Sequence, residues 1–284
     1  MVRFPGSQMQ HQSKKMPIKI VVLLILPFFS TLAYAQMHDA IARRAKFEYK
    51  AAIHLKPNLE HGRQIYQTCM VCHGAEGWGS RNGMYPQIAG QLKSVIIKQL
   101  DDIQTGNRGN PMMVPFTQPD ILPNAQAIAD VAGYISQLPM TPFNGKGHSM
   151  DLKRGEQLYK DNCVDCHGKR GEGSEKDHIP LIQGQHYNYL YRQFRWIQIG
   201  RRRNADDDMI KQIQKFHGSD IDDIMDYVSR IKPPAAKLAR PDWINPDFPY
   251  YVHDIMPARQ VDVELPEERN YKMNGNRVQN PDDE

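Results

Sequence analysis

The chain has 284 residues, enough for two ordinary domains, and its 40% hydrophobic and 24% charged content is the balance of a globular protein. Its formal charge of +4 resides entirely in the first 35 residues, because losing Arg3, Lys14, Lys15 and Lys19 leaves 32 basic against 32 acidic side chains. With no basic excess to neutralise phosphates, composition argues against a nucleic-acid partner, and "GRRRNADDD" at 200–208 carries its own counter-charge.

In chain order, basic residues precede the apolar run "IVVLLILPFF" at 20–29, and "AYA" at 33–35 supplies the small residues a signal peptidase needs. This predicts a secretory signal over 1–35, a mature chain from about Gln36 and export to the periplasm. The run is too short for a membrane anchor and contains Pro27. Residues 36–57 read as an N-terminal extension with one helix. A first domain is expected over 58–140, a linker over 141–150, a second domain over 151–232, and a proline-rich extension over 233–284 with eight prolines. That extension is expected to wrap the preceding domains, to dock onto a partner or to stay disordered, in that order of preference, since it has too few periodic apolar residues for a core of its own.

All four cysteines fall in two short motifs, "CMVCHG" at 69–74 and "CVDCHG" at 163–168. A zinc ribbon needs thiol pairs roughly fifteen to twenty residues apart, whereas 90 residues separate Cys72 from Cys163. A redox disulfide would sit in a βαβ setting, and no parallel-strand pattern surrounds either pair. Haem c fits: Cys69 with Cys72, and Cys163 with Cys166, can each add to the two vinyl groups of one porphyrin, and His73 and His167 then stand beside the iron. Two covalently attached haem c groups are expected.

The repeat extends beyond the motif. An offset of 94 residues aligns Cys69 with Cys163, Pro86 with Pro180, Gly90-Gln91 with Gly184-Gln185, Gln99 with Gln193, Gly106 with Gly200 and Arg108 with Arg202. Each copy opens with a helix entering the motif and closes with an amphipathic helix, striped by Ile128, Val131, Ile135 and Leu138 in the first and by Ile221, Ile224, Tyr227 and Val228 in the second. Between them in the first copy, residues 91–106 read as a further helix. The expected class is all-α, with no clear strand.

These features resemble class I cytochrome c, and the tandem arrangement over about residues 58–231 resembles the periplasmic dihaem cytochromes c4. The resemblance implies that Gly62 and Gly155 on the entry helices pack against Tyr134 and Tyr227 on the closing helices. It also implies that Pro86 and Pro180 line the haem near each proximal histidine, and that Arg108 and Arg202 approach the haem propionates. No histidine lies between His73 and His148, so the first distal ligand is expected to be methionine. Of Met84, Met112, Met113 and Met140, the loop "NPMMVPF" lies where this family supplies its ligand, with Met113 preferred to Met112. In the second copy Met209 holds the corresponding loop, with His217 its rival and Met225 placed in the closing helix. The expected function is a carrier of single electrons between redox partner proteins, with association to a membrane-bound respiratory complex possible. An electron-transfer subunit bound to a catalytic oxidoreductase, and a dihaem enzyme such as a peroxidase, are the alternatives.

Overall fold

A computed structural model describes residues 49–149 and 151–251; the expected signal segment and the extension beyond 251 lie outside the described residues. Residues 49–54 are helical and pack Tyr49, Ile53 and Leu55 against the first core. The first domain then runs α1 (Leu59–His73), α2 (Lys93–Gln104) and α3 (Ala125–Gln137), and the second α4 (Leu152–Asn162), α5 (Val164–His167), α6 (Tyr187–Gln198), α7 (Asp207–Ile213) and α8 (Gly218–Arg230). Among the described residues only two isolated bridges interrupt the helical pattern, Met140 with Leu238 and Ser174 with Ile179.

Side-chain caps mark where several helices begin. Asn58 accepts from His61 N at 3.1 Å, Asn124 from Ala127 N at 3.0 Å and Asp151 from Arg154 N at 2.9 Å, each satisfying an otherwise orphaned donor of a first turn. The two copies differ at the motif: α1 runs unbroken to His73, whereas its counterpart breaks at Cys163 between α4 and α5.

Within each domain the entry helix crosses the closing helix at a glycine. A Cβ on Gly62 would overlap the Asp130 carbonyl and lie 3.0 Å from Tyr134 Cβ; one on Gly155 would overlap the Asp223 carbonyl and lie 3.2 Å from Tyr227 Cβ. Both expected glycine–tyrosine contacts are thus present, and the backbone carbonyl sets the closer limit. The stripe residues Ile128, Val131, Ile135 and Leu138 are buried, as are Ile221, Ile224 and Val228, with Tyr227 packed beside them. The crossings bury one continuous apolar face per domain, which holds the helices together beyond their weak intrinsic propensity.

The domains meet across a pseudo-two-fold seam made by the repeated Gly-Gln pair. Gln91 donates to Leu181 O at 2.8 Å and accepts from Leu181 N at 3.0 Å. Its counterpart Gln185 donates to Gln87 O at 2.8 Å and accepts from Gln87 N at 3.0 Å. Such reciprocity is the signature of an isologous interface, here within one chain. Gly90 and Gly184 precede the two glutamines with φ of 68° and 66°, a left-handed conformation open to glycine.

The segment expected as a linker is built into this seam. Thr141 N donates to Gln87 Oε1 at 2.6 Å, Asn144 donates to Gln185 O and Ser229 O, and Gly145 N donates to His186 Nδ1 at 2.9 Å. The described part of the C-terminal extension, residues 233–251, straps the first domain. It starts with Pro233 against Gly184, pairs with Met140 through Lys237 and Ala239, and lays Trp243 and Phe248 onto Trp78 and Tyr66, each with ring centroids 5.9 Å apart.

Candidate functional site

The end of each entry helix carries its cysteines and histidine onto the wall of its domain. Cys69 and Cys163 pack against the two cores, and no disulfide joins any of the four cysteines. Burial pushes Cys69 and Cys163 up to about 12, with the adjoining thiols Cys72 and Cys166 contributing in the same direction. A thiol held so firmly protonated is the opposite of the low-pKa thiolate on which disulfide exchange depends.

His73 and His167 are buried and identically tethered. The ring Nδ1 of His73 lies 3.0 Å from Pro86 O and that of His167 3.1 Å from Pro180 O. A backbone carbonyl can only accept, so each Nδ1 carries the proton and each Nε2 keeps its lone pair. Burial pushes both imidazoles down, which keeps them neutral and able to ligate a metal. Pro86 and Pro180 therefore act through their carbonyls, orienting the two rings. The donor set of two thiols and one neutral, oriented imidazole, present twice, fits haem c. After each histidine the chain turns at Gly74 and Gly168, with φ of 77° and 83°; Tyr66 and Tyr159 donate to those glycine carbonyls at 2.7 and 2.6 Å, fixing the turns from the core side.

Of the methionines, Met112 is 56% exposed while Met113 is half-buried at the start of a short 3-10 helix, Val114–Thr117. Met209 is half-buried on α7 and packs against the second core. Met84 is exposed, Met140 fills the domain seam with its Cγ 2.6 Å from where a Gly90 Cβ would stand, and Met225 is buried in the closing helix. His217 is exposed and caps α8, its side chain engaged by that helix's first turn.

Arg108 and Arg202 meet at the domain junction. Arg108 donates to Gln99 Oε1 at 2.8 Å and to Gln193 Oε1 at 3.1 Å; Arg202 donates to Gln193 Oε1 at 2.9 Å and to Gln99 Oε1 at 3.1 Å. Each arginine thus binds its own domain's glutamine and its neighbour's. Arg108 also reaches Tyr189 Oη, and Arg202 reaches Asn204 Oδ1. Burial, reinforced by Arg108, pushes Arg202 down to about 9. One buried and one half-buried guanidinium, hydrogen-bonded to neutral groups, make a cationic cradle, which fits a group bearing carboxylates.

Sequence reasoning did not single out His186 or Trp78. His186 is buried at the seam, where Nδ1 accepts from Gly145 N and Nε2 donates to Trp78 O at 2.7 Å. Position 92 in the first copy, the counterpart of His186, is leucine, so the repeat gave no signal for it.

The sequence pattern of the family described as "Cytochrome c" matches residues 59–139 and again residues 152–232. Cytochrome c4 of Azotobacter vinelandii is 30% identical over 192 residues, covering 62% of this chain and 90% of that protein. A protein of Stutzerimonas stutzeri (strain A1501) named as a thiosulfate dehydrogenase electron acceptor is 29% identical over 179 residues, covering 58% of this chain and 79% of its own. Among solved structures, reduced recombinant cytochrome c4 from Pseudomonas stutzeri superposes with a TM-score of 0.54 at 26% identity, covering 62% of this chain and all of that one. Twin motifs, oriented histidines, a pseudo-two-fold seam and these likenesses agree: the chain belongs to the cytochrome c family, as a tandem electron carrier of the cytochrome c4 type that binds two covalent haem c groups.

Proposed function

We propose that this protein is exported to the periplasm after loss of residues 1–35 and carries single electrons between redox partner proteins, and that His73 with Met113 would hold one haem iron and His167 with Met209 the other. Bound haem supplies a one-electron couple at iron. The chain supplies the rest: Cys69, Cys72, Cys163 and Cys166 attach it, the Pro86 and Pro180 carbonyls hold the imidazole protons at Nδ1, and Arg108 and Arg202 offer cations to the propionates. Held by a methionine sulfur as well as a histidine, each haem would favour its reduced state and would not take up a peroxide or other small ligand. The observation that carries this reading is the matched pair of buried histidines, each with a half-buried methionine in its own domain, Met113 just before the short 3-10 helix and Met209 on α7, where a loop was expected.

The carrier is tested by preparing the protein with haem maturation machinery. Intact mass should show two covalent haems, and the reduced protein should fail to bind carbon monoxide; binding to half of the haem would remove one methionine and favour a dihaem enzyme such as a peroxidase. A second reading, an electron-accepting subunit for a dehydrogenase, is favoured by the relative named for that role. A stable complex surviving purification from native membranes or periplasm would support the subunit reading.

A further inference from the structure

We infer that the face of the second domain formed by the end of α6 and the loop after it is a docking surface for an acidic redox protein. The inference rests on the electron-carrier assignment and adds where, and by what chemistry, a partner binds. Arg195 and Arg201 are exposed, as is Arg203, and Ile199 among them is 62% exposed. Trp196 is flanked by two guanidiniums, Arg201 at 4.3 Å and Arg192 at 5.5 Å from its ring. Arg192 and Arg203 are partly engaged, donating to the carbonyls of Gly83 and Gly106 across the domain junction. Among the described residues none of these arginines is ion-paired. Of the three acids that follow and balance these arginines in sequence, Asp206 caps α7 and Asp208 pairs with Lys211 at 3.2 Å, while Asp207 stands exposed in the first turn of α7.

The internal repeat separates what the fold requires from what this face adds. Arg108 and Arg202 are equivalent, point inward and are both retained, whereas their outward neighbours diverge. The offset of 94 residues sets Asp101 against Arg195, Asn107 against Arg201 and Gly109 against Arg203. The first copy folds the same loop around the same buried arginine with no cation at these outward positions. The cations on the second copy therefore serve something outside the chain. A flat array of arginine and tryptophan around one exposed aliphatic side chain has the composition of a binding hot spot, and planar guanidiniums pair in fork geometry with carboxylates. Positive potential on one face also steers an oppositely charged partner during encounter. A protein with an acidic patch satisfies both the charges and the apolar centre.

The test uses the full holo-protein and an acidic blue-copper protein as probe, with the electron-transfer rate followed by stopped flow against ionic strength. The wild-type rate should fall as salt rises, and R195E/R201E should slow the reaction about tenfold or more at low salt. R195Q/R201Q should fall between. The same charge change on the exposed face of α4, K153E/K160E, should leave the rate within about twofold. Equal slowing by both charge-reversal pairs, or none by either, would overturn the inference, as would arginine-dependent binding to phosphatidylglycerol vesicles with unchanged copper-protein rates. Melting temperature and haem absorption check that each variant folds. Electrochemistry separates the two failures: loss of reversible couples in the wild type would end the carrier assignment, whereas intact couples with rates indifferent to Arg195 and Arg201 would end this inference alone.

Discussion

At the scale of single residues, the chemistry depends on which lone pairs are left free. The carbonyls of Pro86 and Pro180 fix the histidine tautomers and leave each Nε2 its lone pair, and the proposed thioether partners are Met113 and Met209. Replacing Met209 with Ala is expected to open one site only: the reduced variant should bind about one carbon monoxide per chain by its difference spectrum, while Met113→Ala opens the other site and Met112→Ala neither. The exposed position of Met112 against the half-buried Met113 is the reason for that contrast. His186 gives a prediction of a different kind. Its Nδ1 accepts from Gly145 N, so protonation there breaks a seam hydrogen bond, and burial accordingly pushes this imidazole down. An unfolded chain therefore binds the proton more readily than the folded one. Stability is full above the unfolded value of about 6.5 and declines as pH falls through the lower folded value. His186→Ala should cost about 1–3 kcal/mol at pH 8 and flatten that decline, read from urea unfolding at a series of pH values.

At the scale of elements, one glycine crossing organises each domain and a strap braces the first. Gly62→Ala would drive a methyl into the Asp130 carbonyl, so the helices must part. The strap is held by Asn245, which donates to Ala75 O at 2.6 Å, by Tyr134, which donates to Asp247 at 2.8 Å, and by the Trp243 and Phe248 rings. Asn245→Ala would leave the Ala75 carbonyl without this donor two residues beyond His73, and should cost about 1–3 kcal/mol. Truncation after residue 232 should lower the melting temperature further and increase exposure of the first haem to quenchers; an unchanged melting temperature would mean the strap stabilises nothing. The helices, the repeat and the crossings were legible in the sequence because motif spacing and a 3.6-residue apolar period are local signals. The strap was legible only as a choice among wrapping, docking and disorder, because its anchors pair residues as far apart as Ala75 and Asn245. The linker reading of 141–150 missed Asn144 and Gly145 for the same reason: their partners, Gln185, Ser229 and His186, lie in the other domain.

At the scale of the whole molecule, the two domains are joined as a pseudo-symmetric pair rather than strung on a tether. The offset that aligned Gly90-Gln91 with Gly184-Gln185 showed a repeat, yet nothing in one sequence says that the two glutamines exchange partners across the axis. The structure makes them reciprocal, and Arg108 and Arg202 repeat the pattern with Gln99 and Gln193. Each side-chain amide closes two hydrogen bonds to the backbone of the opposite domain, and Gln185 is itself buried. An unmade buried bond costs more than a made one contributes, so losing either glutamine exposes both donor and acceptor of a neighbouring peptide to an unfilled seam. Unfolding of one domain would strip these partners from the other, which couples their stabilities. Calorimetry of the wild-type holo-protein should therefore show a single cooperative transition. Gln91→Ala and Gln185→Ala should each lower stability by about 1–3 kcal/mol, in similar measure because the sites are equivalent. The double variant should resolve into two transitions, one per domain, with two haems still attached by mass. Two transitions already present in the wild type would show that the seam is too weak to couple the domains, and a single transition persisting in the double variant would shift the coupling to the arginine cluster and the strap.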